Sequence, residues 1–434
     1  MLSRRDFLAA LAVSVTAGSR GFATGQNRRA PSGLPPGLPR AVPRLPPFDA
    51  QATGRLLRAR FPDLRQRFLF EYYPWYGTSP WRHWNQWDRV PPYDLAVTSV
   101  PALGPYDSRD AAVVEQHARW MVDAGVGGVN ISWWGRGSWE DLATPLVMDV
   151  MSDHGLKVAF HLEPYNDART ENYAGDIQYL LRQYGEKRRW DCLLLLRDGS
   201  GKEVPVFKSF ATLLPQTTTD CHGITHDVSL WRPDGSWRRQ TDTVRDTFRR
   251  DFDRVYLLAD SGALDHVQAC GFDGIAMYDS FLRPTRWANL AKACRDFRLV
   301  YSFNVNPGFD GIARRNVPAD SCYVPTAFEP PAALDFTNPD DRELARRLAE
   351  HRMEESFRST LIVQTDPNLT DTSDGFFLVY INSFNEWHEG TAMEPARDHD
   401  ALLPEEQAFG YHNAAQGNYR LAYLASRLKA VLAG

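Results

Sequence analysis

The chain has 434 residues, 43 % hydrophobic and 24 % charged, with a formal net charge of −5. That length and balance fit one large α/β domain or two ordinary ones. The charge argues against a general nucleic-acid binder, which needs a basic face.

The N-terminus reads as an address. In "MLSRRDFLAALAVSVTAGSRGFAT" (1–24), Arg4-Arg5 precede Phe7-Leu8 and an apolar run to about Ala17. Ser-Arg-Arg-x-Phe-Leu resembles a twin-arginine export signal, so a periplasmic or secreted protein is expected. The run is shorter than the roughly 20 residues of a spanning helix; an N-terminal anchor helix is the alternative. No clean A-x-A marks a cleavage site before residue 25. Residues 25–47 hold Pro31, Pro35, Pro36, Pro39, Pro43, Pro46 and Pro47, the composition of an extended spacer. Residues 48–434 are expected to form one folded domain, with no further linker or repeat.

Beyond Phe68, short apolar runs alternate with amphipathic stretches. Predicted strands are "RFLFEYYPW" (67–75), "VGGVNISWW" (126–134), "KVAFHLEP" (157–164), "VPVFKSF" (204–210), "RVYLLAD" (254–260), "DGIAMYDS" (273–280), "LVYSFNVNP" (299–307) and "FFLVYINSF" (376–384). Between them, "DAAVVEQHARWMVDAG", "PLVMDVMSDHG" and "ENYAGDIQYLLRQYG" read as helices stopped by Gly, and "DDRELARRLAEHRMEESFRS" as a longer one. Eight strands alternating with helices predict an α/β fold, a (β/α)₈ barrel. A doubly wound sheet competes, although no G-x-G-x-x-G follows a strand. Polar and aromatic residues gather at the strand ends, in "YYPWYG", "SWWG", "HLEPY", "YDS", "NPGF" and "NEWHEG". In a barrel those ends surround one mouth, where active sites of this fold lie.

The last of these carries Glu386 and Glu389. Three residues apart in a helical turn, two side chains share a face, with Cβ atoms about 5–6 Å apart. Carboxyls at roughly 5–5.5 Å suit a retaining glycosidase, and mutual repulsion favours one staying protonated. E-x-x-E alone is common on solvated helices; here it follows an apolar strand and adjoins Trp387, His388 and Gly390. Trp75, Trp81, Trp84 and Trp87 lie close together, and Trp133-Trp134 end a strand. Indole rings make flat platforms for sugar C–H faces, with core packing as the plain alternative for each. His83, His161, Glu163, Asn382 and Asn385 are candidate partners for hydroxyls.

The five cysteines, Cys192, Cys221, Cys270, Cys294 and Cys322, are odd in number and scattered, so no disulfide framework is expected. "CHGITH" (221–226) lacks a metal-site spacing and reads as a loop.

Taken in order, "YYPWYG", "HWNQ", "LGPYDSRD", "SWWG", "HLEPY", "GFDGIAMY", "NPGFDG" and "SFNEWHEGTAMEPA" resemble glycoside hydrolase family 99, the endo-α-1,2-mannosidase and endomannanase group, within the broader family 71/99-like barrels. The resemblance implies a (β/α)₈ barrel and a retaining endo-glycosidase with no metal and no cofactor. It implies that the sugar's own 2-hydroxyl attacks the anomeric carbon to give a 1,2-anhydro sugar. Glu386 would be the base for that hydroxyl, Glu389 the acid and then the base for water, and Tyr278 a neighbour of the reacting carbon. Tyr73, His83, Trp133, Trp134, His161, Glu163, Asn385 and His388 would line the sugar subsites. The expected partner is an oligosaccharide or polysaccharide, with no nucleic acid, no membrane beyond an uncleaved leader, and a monomeric chain. The departures lie at the mouth. "VPVFKSFATLL" stands where the family has a "YDSY"-like segment, residues 213–242 do not match, Gln86 replaces a common His, and "DSF" follows Tyr278. Another sugar specificity, or a barrel that binds glycan without cleaving it, stands beside the main expectation.

Overall fold

The computed structural model describes residues 42–433 apart from 198–200, 279, 281, 319–320 and 324–333. The export signal and the spacer up to residue 41 lie outside the described residues. Eight parallel strands form the centre: β1 Phe68–Tyr72, β2 Gly128–Trp133, β3 Lys157–Leu162, β4 Glu203–Ser209, β5 Tyr256–Ala259, β6 Gly274–Ala276, β7 in two pieces (Val300–Ser302 and Asn304–Val305) and β8 Val379–Ile381. Each pairs in parallel with the next in sequence, from β1 with β2 to β6 with the first piece of β7. The second piece of β7 pairs with β8, and β8 pairs with β1. One stretch of chain therefore completes the ring, which an open doubly wound sheet cannot do. Every predicted strand overlaps one of these eight.

A helix follows each strand: α1 Ala111–Ala124, α2 Trp139–Asp153, α3 Arg169–Leu180, α4 Asp234–Phe248, α5 Leu264–Ala269, α6 Trp287–Asp296, α7 Pro339–Thr365 and α8 Tyr419–Leu432. The caps follow from sequence. Asp110 accepts from Ala112 N at the start of α1, and Gly125 ends it at φ +83°, a left-handed conformation that glycine adopts without strain. Asn338 caps α7 ahead of Pro339 at the first helical position.

Two helix boundaries differ from expectation. Helix α2 starts at Trp139 under a Ser138 cap, so Pro145 lies inside it. Pro145 has no N–H for the Asp141 carbonyl one turn back; the Tyr184 hydroxyl donates to that carbonyl instead, at 2.9 Å. Helix α3 continues as a π turn, Leu181–Glu186, so Gly185 lies within the helical run.

Strand alternation sends every second side chain into the barrel. Leu69, Ala159, Val206, Leu258, Val300 and Leu378 form one buried apolar cluster in its lower half. Leu194 joins the same cluster, as does Leu196 from a short strand, Leu195–Arg197, antiparallel to the start of β4. Two residues further along the strands stand Glu71, Asn130, His161, Lys208 and Tyr380, all fully buried. Two residues further again come Tyr73, Ser132, Glu163, Phe210 and Asn382, also buried. The rise is about 6–7 Å per step of two.

The cysteines depart from expectation. Cys221 and Cys322 form a disulfide, while Cys192, Cys270 and Cys294 are free and buried. Their spacing of 101 residues carries no sequence signal; only the barrel brings the loops after β4 and β7 together. "CHGITH" forms the turn and the start of the second strand of a small hairpin, Thr217–Thr219 with Thr225–Asp227.

Candidate active site

Strand β8 runs into the turn that holds both glutamates. Ser383 Oγ accepts from Glu386 N at 2.8 Å, and Trp387–Glu389 form one 3₁₀ turn. Side chains three apart in such a turn share a face. Gly390 closes the turn at φ +64°, where a Cβ would sit 2.4 Å from the Asp310 carbonyl oxygen. Glu386 is 0 % and Glu389 2 % exposed, so neither belongs to a solvated surface helix.

The turn is fixed from behind. Asp310 N donates to Glu389 O and Ile312 N to His388 O, both at 2.9 Å. Trp387 N donates to the Tyr76 hydroxyl at 3.0 Å. The Trp387 indole donates to Glu394 Oε2 at 3.0 Å, and the Tyr106 hydroxyl donates to the same oxygen at 2.8 Å. His117 Nε2 lies 3.2 Å from Glu394 Oε1. Burial pushes the Tyr76 and Tyr106 hydroxyls well above their ordinary pKa, so both stay protonated. Glu394 is thus a clamp on the turn.

In front of the turn, three groups form a directed chain. The Tyr73 hydroxyl donates to the Tyr278 hydroxyl at 2.8 Å. The Tyr278 hydroxyl donates in turn to Glu386 Oε2. Each donor polarises the next. Tyr278 is held by its own backbone: its N–H donates to Asp260, and its carbonyl accepts from Asn304 and Asn382.

Aromatic rings build one wall. Trp75 stacks on His83 with centroids 4.3 Å apart and lies 4.6 Å from Tyr73 and 5.1 Å from His388. Trp134 is half-buried, its ring 6.5 Å from Trp75. Gln86 Nε2 lies 2.7 Å from His83 Nδ1, so with the amide so oriented, the ring carries its proton on Nε2. Burial, then His388 and Arg82, push the His83 pKa well down.

Below the mouth lies a charged layer. Lys208 Nζ reaches Glu71 Oε1 at 2.6 Å. Asn130 Nδ2 and His161 Nδ1 reach Glu71 Oε2 at 3.0 and 3.1 Å. Burial alone would raise the Glu71 pKa, but Lys208 and then His161 outweigh it and hold it at about 2. Burial lowers the His161 pKa, so the ring is neutral near pH 7. Glu163 accepts from Ser132 Oγ at 2.8 Å, and its Oε1 lies 3.9 Å from His161 Nδ1.

Tyr73, His83, Trp134, His161, Glu163, Tyr278, Glu386 and His388 thus belong to one contiguous cluster, with Glu389 in the same turn. Two expected sugar contacts lie elsewhere. Trp133 points out of the barrel: its indole donates to Asp141 of α2, and its ring packs on Tyr165 and Tyr179. Neighbouring strand residues face opposite sides, so Trp133 and Trp134 cannot both face the mouth. Asn385 is taken up by the backbone, accepting from Tyr73 N at 2.8 Å and donating to Tyr73 O at 3.0 Å. It ties β1 to the turn. Trp84 is likewise wall, its indole donating to Tyr106 O at 2.7 Å. Glu71, Lys208 and Glu394 were not among the expected site residues. A charge inside "RFLFEYY" or "VPVFKSF", strands otherwise apolar on both faces, is the signal that marks the first two.

The sequence model "Glycosyl hydrolase family 99" matches residues 66–192. A mouse protein named glycoprotein endo-alpha-1,2-mannosidase is 26 % identical over 357 residues, covering 75 % of this chain and 67 % of that one. A glycoprotein endo-alpha-1,2-mannosidase-like protein of Danio rerio is 28 % identical over 363 residues, covering 75 % and 70 %. The solved GH99 endo-alpha-mannosidase from Bacteroides thetaiotaomicron superposes with a TM-score of 0.59 at 20 % identity, covering 85 % of this chain and 99 % of that one.

Proposed function

Because this chain is related to the family 99 glycoside hydrolases and shares their barrel, we propose that it is a retaining glycoside hydrolase that cleaves within α-mannoside-type glycans. The observation that carries this is the chain from Tyr73 through Tyr278 to Glu386, a buried carboxylate at the barrel mouth. A hydroxyl donor suits an ionised carboxylate, the form a base needs.

In the first step, Glu386 takes the proton of the sugar's 2-hydroxyl as O2 attacks the anomeric carbon. The bond from that carbon to the leaving oxygen breaks, and Glu389 gives its proton to that oxygen. A 1,2-anhydro sugar results. In the second step, water attacks the anomeric carbon and passes a proton to the Glu389 carboxylate. The bond from the anomeric carbon to O2 opens, and O2 recovers its proton from Glu386. Two inversions give net retention. Trp134 and His83, both half-buried, offer the flat and polar faces that a pyranose needs, and Trp75 backs His83. Sizing the products of α-1,2-linked mannan or manno-oligosaccharides tests the reading: oligosaccharides released from internal bonds are expected, and no cleavage of any α-mannoside would contradict it.

Export by the twin-arginine route to the periplasm or beyond is part of the same proposal. The Arg4-Arg5 motif supports it, as does an exposed disulfide, which suits an oxidising compartment. Replacing both arginines with lysine should leave the protein in the cytoplasm; unchanged export would refute this point.

A further inference from the structure

A buried ion pair needs a reason. Compared with apolar packing of similar volume, such a pair is often neutral or less stable. Glu71 and Lys208 nevertheless sit side by side in the barrel, fully buried, directly above an apolar layer that Leu or Met could extend. Lys208 faces the Tyr278 ring at 5.1 Å and the Tyr380 ring at 4.6 Å. His161, its register partner on β3, turns Nδ1 to Glu71 at 3.1 Å.

The chemistry of this cluster permits one arrangement. Glu71 is surrounded by Lys208, Asn130 and His161; Lys208 can only donate to it, and Asn130 turns its amide NH₂ to it. An ionised carboxylate accepts and never donates, so the contact with His161 needs a proton on Nδ1. A neutral ring then has a bare lone pair on Nε2. Among the described residues, no group bonds Nε2, although the side chain is fully buried. Phe210 and Tyr278 pack on the ring with centroids 6.0 and 5.7 Å away, the first edge-on and the second tilted. Glu163, the other charge nearby, faces the Nδ1 side.

We propose that Glu71 and Lys208 are positioning residues for His161: they fix its Nδ1–H tautomer, so that Nε2 accepts a hydrogen bond from a sugar hydroxyl. The assignment rests on reading the mouth as a glycan site. It gives His161, below the mouth, and His83, in its wall, opposite senses: His161 accepts at Nε2, and His83, with Nδ1 occupied by Gln86, donates there. One offers sugar hydroxyls an acceptor and the other a donor.

The test is long-range ¹H–¹⁵N correlation spectroscopy of the ¹⁵N-histidine-labelled full chain, with His161 assigned through His161→Gln. A neutral ring with its proton on Nδ1 is expected at pH 7. In Glu71→Gln/Lys208→Met, the amide can turn either its oxygen or its nitrogen to the ring, and a second, Nε2–H tautomer should appear. In that variant, KM for the cleaved glycan should rise about tenfold, as for one lost hydrogen bond, while kcat changes less. A wild-type ring protonated on Nε2, or on both nitrogens, would overturn the proposal. So would a double variant that keeps both tautomer and KM. If the double variant does not fold, the wild-type spectrum decides alone. The spectrum reads the tautomer even if no glycan is cleaved, so failure of the proposed activity is told apart from failure of this assignment.

Discussion

The lower and upper halves of the barrel interior are built by the same alternation of strand residues. They differ in what the inward positions hold. Below, Leu69, Val206, Leu258, Val300 and Leu378 pack into one apolar cluster. Above, Glu71, His161, Lys208, Glu163, Tyr73 and Tyr278 each answer a specific polar partner. Packing can be exchanged for packing at a graded cost. A polar network tolerates less, because each lost partner strands another buried group. Changes below should therefore act on stability alone, while changes above act on activity as well, and isosteric changes at the catalytic turn on activity first.

The strongest separation is expected at the mouth. Glu389→Gln and Glu386→Gln should each lower kcat/KM by about 10²–10⁴-fold, the range for a lost general acid or base, with little change in the urea midpoint. Either variant with ordinary turnover would remove its glutamate from the chemistry. Leu258→Ala in the lower layer should do the reverse. It should cost about 2–5 kcal/mol of stability, read from denaturant midpoints, while the folded fraction keeps its kcat. A Leu258→Ala protein that stays stable but loses activity would break the division between the two halves.

The smallest effect is one of pH. His161 faces Glu71, Glu163 and Lys208, and the fold holds its pKa below the ordinary 6.5. The unfolded chain therefore takes up that proton first, so this contribution to stability is present above pH 6.5 and fades as pH falls. The stability margin of wild type over His161→Gln should shrink between pH 7.5 and 5.5, by at most about 1.4 kcal/mol per pH unit. A margin that grows on acidification would mean that the folded state favours a charged imidazole. Glu71, with its pKa held at about 2 against an ordinary 4.5, withholds its own loss until lower pH.

The strands and their order were legible because eight apolar runs, each closed by polar and aromatic residues, repeat along the chain. "NEWHEG" stood out for its place after the last of them. What escaped were choices made by direction and distance. Trp133 and Trp134 look alike in sequence, and only the pleat sends one to the core and the other toward the mouth. Asn385 looked like a hydroxyl partner until Tyr73's backbone took both ends of its amide. Pro145 read as a helix start because nothing local announces that Tyr184 serves the freed carbonyl. The Cys221–Cys322 bond joins loops far apart in sequence. The charges in "FLFEYY" and "VFKSF" were visible, but their pairing across the barrel needed β1 and β4 in place.

The most direct test of the proposed chemistry is the anomeric configuration of the first product, followed by ¹H NMR during hydrolysis of an α-mannoside by the wild-type chain. The two-step route through Glu386 and Glu389 predicts an α-anomer that appears first and mutarotates later. A β-anomer appearing first would contradict it, since a single displacement by water inverts the carbon and leaves no place for the 1,2-anhydro sugar.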